Sequence, residues 1–225
     1  MLVPDISGAL EIEAGGERLW LLPQLAAYWP RVKTLLIADA HLGKAAAFRK
    51  AGIAVPAGTT GENLQGFSAL IRKTSAERIV FLGDLMHDAA ARKAASAAFI
   101  RWRERHVGVE MILVRGNHDR RAGDPPCEWG VNCVDEPHRV DGIALAHFPR
   151  PVPGSYAIAG HTHPAAQLVG RGRAFVRLPC FYVTPEFAIL PAFGSFTGMA
   201  DVSPAPHDRV YIVAEERVIE MAIPG

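Results

Sequence analysis

Short apolar runs recur along this chain and stop, again and again, at polar side chains. "TLLIA" (34–38) ends at Asp39, "RIVFL" (78–82) at Gly83–Asp84, and "VEMILV" (109–114) just before Gly116, Asn117, His118 and Asp119. Runs of this length are too short for helices and read as strands buried on both faces. Between them, Leu64, Phe67, Leu70 and Ile71 fall at helical spacing over 60–73, with Thr59 or Thr60 as cap and Glu62 in the first turn. A second helix is expected from about residue 89 to 106, with Ala95, Phe99, Trp102 and His106 along one face. Strand, helix, strand, helix, strand predicts parallel pairing and an α/β core.

The flanking segments have a different rhythm. "ALEIEAGGERLWLLP" (9–23) reads as a hairpin turning at Gly15–Gly16. In the second half "IALA" (143–146) ends at His147 and "YAIA" (156–159) at Gly160–His161. "AFVRL" (174–178), "EFAIL" (186–190) and "RVYIVAEERVIEM" (209–221) then read as strands with little helix between them. That pattern predicts a mixed or antiparallel second sheet, while "GDPPCEWG" and "HFPRPVPG" are loops by composition. The expected architecture is a two-sheet αββα sandwich, one domain spanning residues 1–225 and leaving no length for a separate cap domain.

Composition narrows the function classes. With 49% hydrophobic and 21% charged residues the chain is an ordinary globular one, and a net charge of +1 gives no overall field to attract a polyanion. Local basic clusters occur at Arg92–Lys93, Arg101–Arg105, Arg115–Arg121 and Arg171–Arg177, each of which reads first as solvated surface. Asp5, Glu11, Glu13, Glu17 and Arg18 interrupt any secretory apolar region, and no run approaches the ~20 residues of a membrane helix. Three cysteines (Cys127, Cys133, Cys180) without a C-x-x-C pair fit free thiols in a reducing cytoplasm, and the Cys127–Cys133 gap suits zinc badly. The expected localisation is cytoplasmic, with no membrane association.

Five strand-like runs therefore end in groups able to bind metal: Asp39-x-His41, Gly83-Asp84, Gly116-Asn117-His118-Asp119, His147, and Gly160-His161-Thr162-His163. In α/β sheets, ligands gather outside the carboxyl ends of strands, so clusters distant in sequence can converge. Each alone is weak, because D-x-H or G-D arises by chance and a lone strand-end histidine is usually structural. Five in order weigh against coincidence. Carboxylate, amide oxygen and imidazole together suit Mn²⁺, Fe²⁺ or Zn²⁺, and no thiolate joins them. Two carboxylates facing two divalent ions leave a net positive centre, matched to a phosphate ester and able to activate water.

In this order D-x-H, G-D, G-N-H-D, a lone His and G-H-x-H resemble the calcineurin-like metallophosphoesterases, over residues 34 to 163. The resemblance implies a dimetal site in which Asp39, His41 and His163 hold one ion and Asn117, His147 and His161 the other, with Asp84 bridging. It makes His118 the general acid for the leaving oxygen. His87, three residues after Asp84, stands where repair nucleases of the superfamily carry a second substrate-side histidine. "LLIADAHLGK", "FLGDLMHD" and "GNHD" are similar, more narrowly, to the bacterial DNA-ligase-associated metallophosphoesterases (the PdeM family), with Ala40 departing from the usual A-D-L-H. That likeness implies a manganese-dependent endonuclease on single-stranded or damaged DNA, working in repair beside a ligase and a helicase. Self-association stays open. Lys44 and Asp119 are candidate substrate contacts, although an ordinary loop lysine and a backbone-capping aspartate explain them equally. Competing expectations are hydrolysis of a small phosphodiester or phosphomonoester, and a scaffold that has lost catalysis.

Overall fold

The computed structural model describes residues 6–50, 52–55, 58–169, 175–195 and 197–222. Strands β4 (Thr34–Ile37), β5 (Arg78–Phe81) and β6 (Glu110–Val114) pair in parallel, as their helical connections predict. Alternation explains why they are apolar beyond their first residues, Thr34, Arg78 and Glu110. Leu35, Ile37, Ile79, Phe81, Met111 and Leu113 face a core closed by Phe67, Leu70, Phe99 and Trp102. Leu36, Val80, Ile112 and Val114 face the other way, onto Ile143, Leu145, Ile158, Phe181 and Tyr211 of a second sheet. Each strand is thus covered on both faces.

The first sheet is completed by β1 (Leu10–Ala14), β2 (Glu17–Leu22), β3 (Ala26–Trp29) and β7 (Asn132–Val134), in spatial order β1-β2-β3-β4-β5-β6-β7. The expected hairpin is present: Ala14 faces Glu17, and Gly15 and Gly16 take φ of 60° and 76° at the two-residue turn. Among the described residues, the α-helices are α1 (Lys44–Lys50), α2 (Thr59–Thr74), α3 (Ala89–Glu104) and α4 (Asn117–Ala122). The cap of α2 corrects the sequence reading. Gly58, with φ of 99°, precedes the helix, and the Thr60 hydroxyl instead accepts from Gly43 N at 3.3 Å. Asp88 caps α3 through Ala91 N at 2.6 Å. His106 lies just beyond the end of α3 but still packs on Trp102, with ring centroids 4.9 Å apart.

The second sheet contains β8 (His138–Val140), β9 (Ile143–Leu145), β10 (Tyr156–Ala159), β11 (Pro164–Val169), β12 (Phe175–Val183), β13 (Phe187–Ile189), β14 (Ala200–Asp201), β15 (Arg209–Ala214) and β16 (Arg217–Met221). It is mixed, with β9, β10 and β13 parallel and β11, β12, β15 and β16 antiparallel. The run 209–221 is two strands, because Glu215 and Glu216 take φ of 47° and 61° at a turn that no glycine announces. Ala174, the first residue of the expected strand "AFVRL", and Arg171 and Arg173 of the last basic cluster lie outside the described residues. The whole is a two-sheet α/β sandwich. Its parallel strands end at one edge, and an Ala38–Ala192 bridge ties the sheets together there.

Candidate metal centre

At that edge the side chains past the strand ends meet. Donor atoms of Asp39, His41 and His163 lie within 4.8 Å of one another, as do those of Asp84, His147 and His161. Asn117 Oδ1 joins the second group, 3.0 Å from His147 Nε2. Asp84 also reaches back toward His118, whose Nε2 is 4.0 Å from Asp84 Oδ2. Asp39 and His147 are fully buried, whereas Asn117, His118, His161 and His163 are half-buried. The group is closed beneath and open above.

The backbone is bent to present these groups. Asp39, His41, Asp84, His161 and His163 take φ of 52°, 44°, 50°, 74° and 52°. Each such conformation costs a non-glycine residue roughly 1–2 kcal/mol, a kind of strain that clusters at functional sites. Hydrogen bonds hold it in place: Asp39 N to Gly83 O at 3.2 Å, His41 N to Asp84 O at 2.9 Å, and His161 N to Asp39 Oδ2 at 2.8 Å. The glycines of the motifs serve space as much as flexibility. A Cβ on Gly83 would lie 2.2 Å from His147 Nδ1, one on Gly116 would lie 2.2 Å from Asp84 Oδ1, and one on Gly160 would lie 2.5 Å from Asp39 Oδ2.

Hydrogen bonding fixes the ring tautomers. His147 Nδ1 is 3.0 Å from the Leu82 carbonyl, which only accepts, so Nδ1 carries the hydrogen and Nε2 presents its lone pair. That lone pair faces Asn117 Oδ1, His161 Nδ1 at 3.0 Å and Asp84 Oδ1 at 3.6 Å. The lone pairs of His147 Nε2, Asn117 Oδ1 and Asp84 Oδ1 repel one another unless a cation, or a hydrogen on His161 Nδ1, lies among them. His163 donates Nδ1–H to Gly198 O at 3.0 Å and turns Nε2 to within 3.5 Å of Asp39 Oδ1. Histidines that ligate metals characteristically anchor the opposite nitrogen in this way. Asp39 Oδ1 and His41 Nδ1 are buried without any hydrogen-bond partner. The donor set fits two divalent cations.

Titration behaviour agrees. Burial, reinforced by the charge of Lys44 and the neighbouring histidines, holds His41 down to about 2, which keeps the ring neutral with one nitrogen lone pair free. Burial also lowers His161 and raises Asp84. At His163 burial acts downward, but Asp39 outweighs it and the pKa rises. The field that favours a proton on His163 would equally favour a metal ion.

His118 and His87 sit beside these groups. His118 N donates to Asp84 Oδ1 at 2.9 Å, and its Nδ1–H donates to the His87 carbonyl at 2.7 Å, leaving Nε2, among the described residues, without a hydrogen-bond partner of its own 4.0 Å from Asp84 Oδ2. The two rings stack at 5.0 Å. Lys44 is half-buried nearby, its pKa lowered by burial against the pull of Asp39 and Asp84. Of the two roles the sequence left open for Asp119, the structure favours backbone capping. Asp119 is 0% exposed, and its oxygens accept from Met86 N at 3.1 Å and Gly116 N at 3.0 Å, so it clamps backbone and offers no face to a substrate. Sequence reasoning missed Glu136, whose Oε2 accepts from His147 N at 2.8 Å and Phe148 N at 3.0 Å. Nothing in the local sequence marks that role.

The family model for calcineurin-like phosphoesterases matches residues 32–149, slightly more than half of the chain. The chain belongs to that family. It is a metal-dependent phosphoesterase, and the calcineurin-like site is dinuclear, in keeping with the groups around Asp39 and Asp84; His41, His87 and His118 form a third close set that shares His41 with the first. A crystal structure of the Pseudomonas putida nuclease MPE is similar to it, with 40% identity and a TM-score of 0.83 over 95% of this chain and 100% of that one. The E. coli phosphoesterase Yfce aligns over 85% of this chain and 99% of that one, at 15% identity and a TM-score of 0.40, too distant to carry any argument. No curated protein matches the chain by sequence. Among the described residues no helix is long and apolar enough to cross a membrane.

Proposed function

We propose that this calcineurin-like phosphoesterase is a nuclease that hydrolyses DNA phosphodiester bonds within single-stranded or damaged strands, with manganese as its working metal. The observation that carries the reading is the 40% identity to a nuclease along nearly the full length of both chains. The open, half-buried rim of histidines around a buried pair of carboxylates is compatible with a polymer passing across it.

In this reading Asp39, His41 and His163 hold one ion, Asn117, His147 and His161 the other, and Asp84 serves both. When bound, the ions supply positive charge against the phosphate oxygens and an activated water as nucleophile. The protein's own groups do the rest. The His87 carbonyl accepts from His118 Nδ1–H and so orients the ring, and the imidazolium form, protonated at Nε2 as well, would give that second proton to the departing sugar oxygen. The His87 ring, stacked on His118, faces the same phosphate, and Lys44 adds a cation at the rim.

The test is cleavage by manganese-loaded protein of circular single-stranded DNA, duplex DNA and a small chromogenic diester. Linearised circles are the expected product. Hydrolysis of the small diester with intact circles would replace the nuclease reading with a small-molecule phosphodiesterase.

A further inference from the structure

Away from the metal centre, α2 and α3 enclose an open groove of about 520 Å³, lined in part by Gln65, Arg72, Arg101, Arg105 and His106. Eight of the described arginines are matched to acids. Arg31 pairs with Glu17, Arg78 with Glu110, Arg115 with Asp124, Arg177 with Asp201 and Arg209 with Glu220. Arg72, Arg101 and Arg105 are exposed and, among the described residues, have no carboxylate partner, and no carboxylate lines the groove. Their field is felt locally: burial and then the charges of Arg105, Arg72 and Arg103 hold His106 below its ordinary value, with no acid acting the other way. Three guanidinium groups gathered without a counter-charge repel one another, and an anion spanning them removes that cost.

We propose that this groove binds the sugar–phosphate backbone of the DNA strand being cut, as a second contact remote from the metals. The inference rests on the nuclease reading above. Three observations favour a nucleic-acid backbone over an acidic protein segment. The groove starts at Gly61, next to Thr60, whose hydroxyl contacts Gly43 in the loop between His41 and Lys44, so its upper end adjoins the metal-centre loop. From Gly61 to Arg72 it follows α2 for roughly 16 Å, at 1.5 Å per residue, long enough for successive phosphates. Its aromatic neighbours Phe67 and Trp102 are buried, so it offers guanidinium and amide donors without an exposed ring for an acidic peptide's apolar side chains to pack on. Backbone contacts of this kind position a strand without reading its sequence.

The test replaces Arg72, Arg101 and Arg105 together by Gln, which preserves helix propensity and the exposed surface. Wild type and variant, both manganese-loaded, are compared on circular single-stranded DNA and on the small diester between 50 and 200 mM salt. Each phosphate contact contributes about −0.7 to the log–log salt slope on single strands, so losing three makes the slope shallower by about 2. Across that range wild-type kcat/KM on DNA should therefore fall about eighteenfold more than the variant's, while small-diester turnover and thermal midpoint stay equal. Equal salt slopes and equal KM on DNA would overturn the groove and leave the nuclease reading standing, which is also the outcome if the natural occupant is an acidic protein. Failure of the wild type to cut DNA at all would remove both.

Discussion

Replacing Gly116 by Ala tests the geometry of the centre with a single methyl group. Gly116 has φ of −87° and ψ of −178°, which any L-residue adopts, so the substitution carries no backbone penalty. Its whole cost is spatial. The new Cβ would lie 2.2 Å from Asp84 Oδ1, 2.6 Å from Asp84 N and 3.0 Å from Asp84 Cγ. An ordinary non-bonded contact requires the carboxylate to withdraw by roughly 1 Å. Overpacking of this kind costs about 1–3 kcal/mol of stability, and a 1 Å misplacement of a reacting group can cost on the order of 10²-fold in rate. Gly61→Ala is the control, because nothing lies within 4 Å of its Cβ and it sits in the first turn of α2, where Ala is up to about 1 kcal/mol better than Gly. Manganese binding by titration calorimetry, turnover of a small diester and thermal unfolding together read the pair. Gly116→Ala should lose stability, metal affinity and turnover; Gly61→Ala should keep all three. Wild-type metal affinity and turnover in Gly116→Ala would show that Asp84 is not held against this backbone, and the proposed ligand arrangement would go with it.

Four other outcomes follow from the same geometry. His118→Ala should keep its metal content by elemental analysis while turnover falls about 10²–10⁴-fold, and loss of metal would instead make His118 a ligand. Asp119→Asn puts an amide N–H against Met86 N–H or Gly116 N–H, which should cost about 1–3 kcal/mol in a denaturant titration; an unchanged midpoint would refute the clamp. Adding manganese to chelated protein should raise the melting temperature, by about 2.7 kcal/mol of added stability at a hundredfold excess over Kd, and Asp39→Ala should abolish that rise. The Arg31 hydrogen bond holds Glu17 below the usual carboxylate range, against burial. Its stabilisation is present above the unfolded carboxylate pKa and is lost as pH falls through the lower folded value. Glu17→Gln should therefore flatten the acid limb of the stability curve, and an unchanged limb would show that the contact is inert.

Much of this was readable from the chain because two simple periods coincide with the chemistry. After their first residues (Thr34, Arg78 and Glu110), β4, β5 and β6 are apolar at every position, since helices cover one face and the second sheet the other, so their ends stand out and the ligands follow within a few residues. What escaped notice depends on contacts that no local pattern encodes. β3 is four short buried residues without alternation, and the turn at Glu215–Glu216 uses residues that ordinarily avoid positive φ. Glu136 supports His147 from across a loop, and Arg177 reaches Met199 O at 2.6 Å, beside the Gly198 carbonyl that anchors His163. Asp119 was ambiguous for a different reason. In "GNHD" four consecutive residues are compatible with a site, and only burial separates Asn117 and His118, which face it, from Asp119, which supports it.

The glycines explain why the motifs were weak one at a time and strong together. The space left at Gly83 is filled by His147, that at Gly116 by Asp84 and that at Gly160 by Asp39. Each motif's glycine therefore answers to a ligand supplied by a different motif, 64, 32 and 121 positions away in the chain. A G-D or G-H-T-H read alone shows a glycine with no local purpose. Read together, they describe an interlock in which Asp39, Asp84 and His147 are each packed against a strand end that belongs to another motif. Such coupling keeps five left-handed, non-glycine residues in place at the centre. It also predicts the pattern of damage: a methyl added at Gly116 or Gly160 should act first on the remote ligand it displaces and only secondarily on its own motif, whereas at Gly83, with φ of 81°, it should strain its own backbone as well.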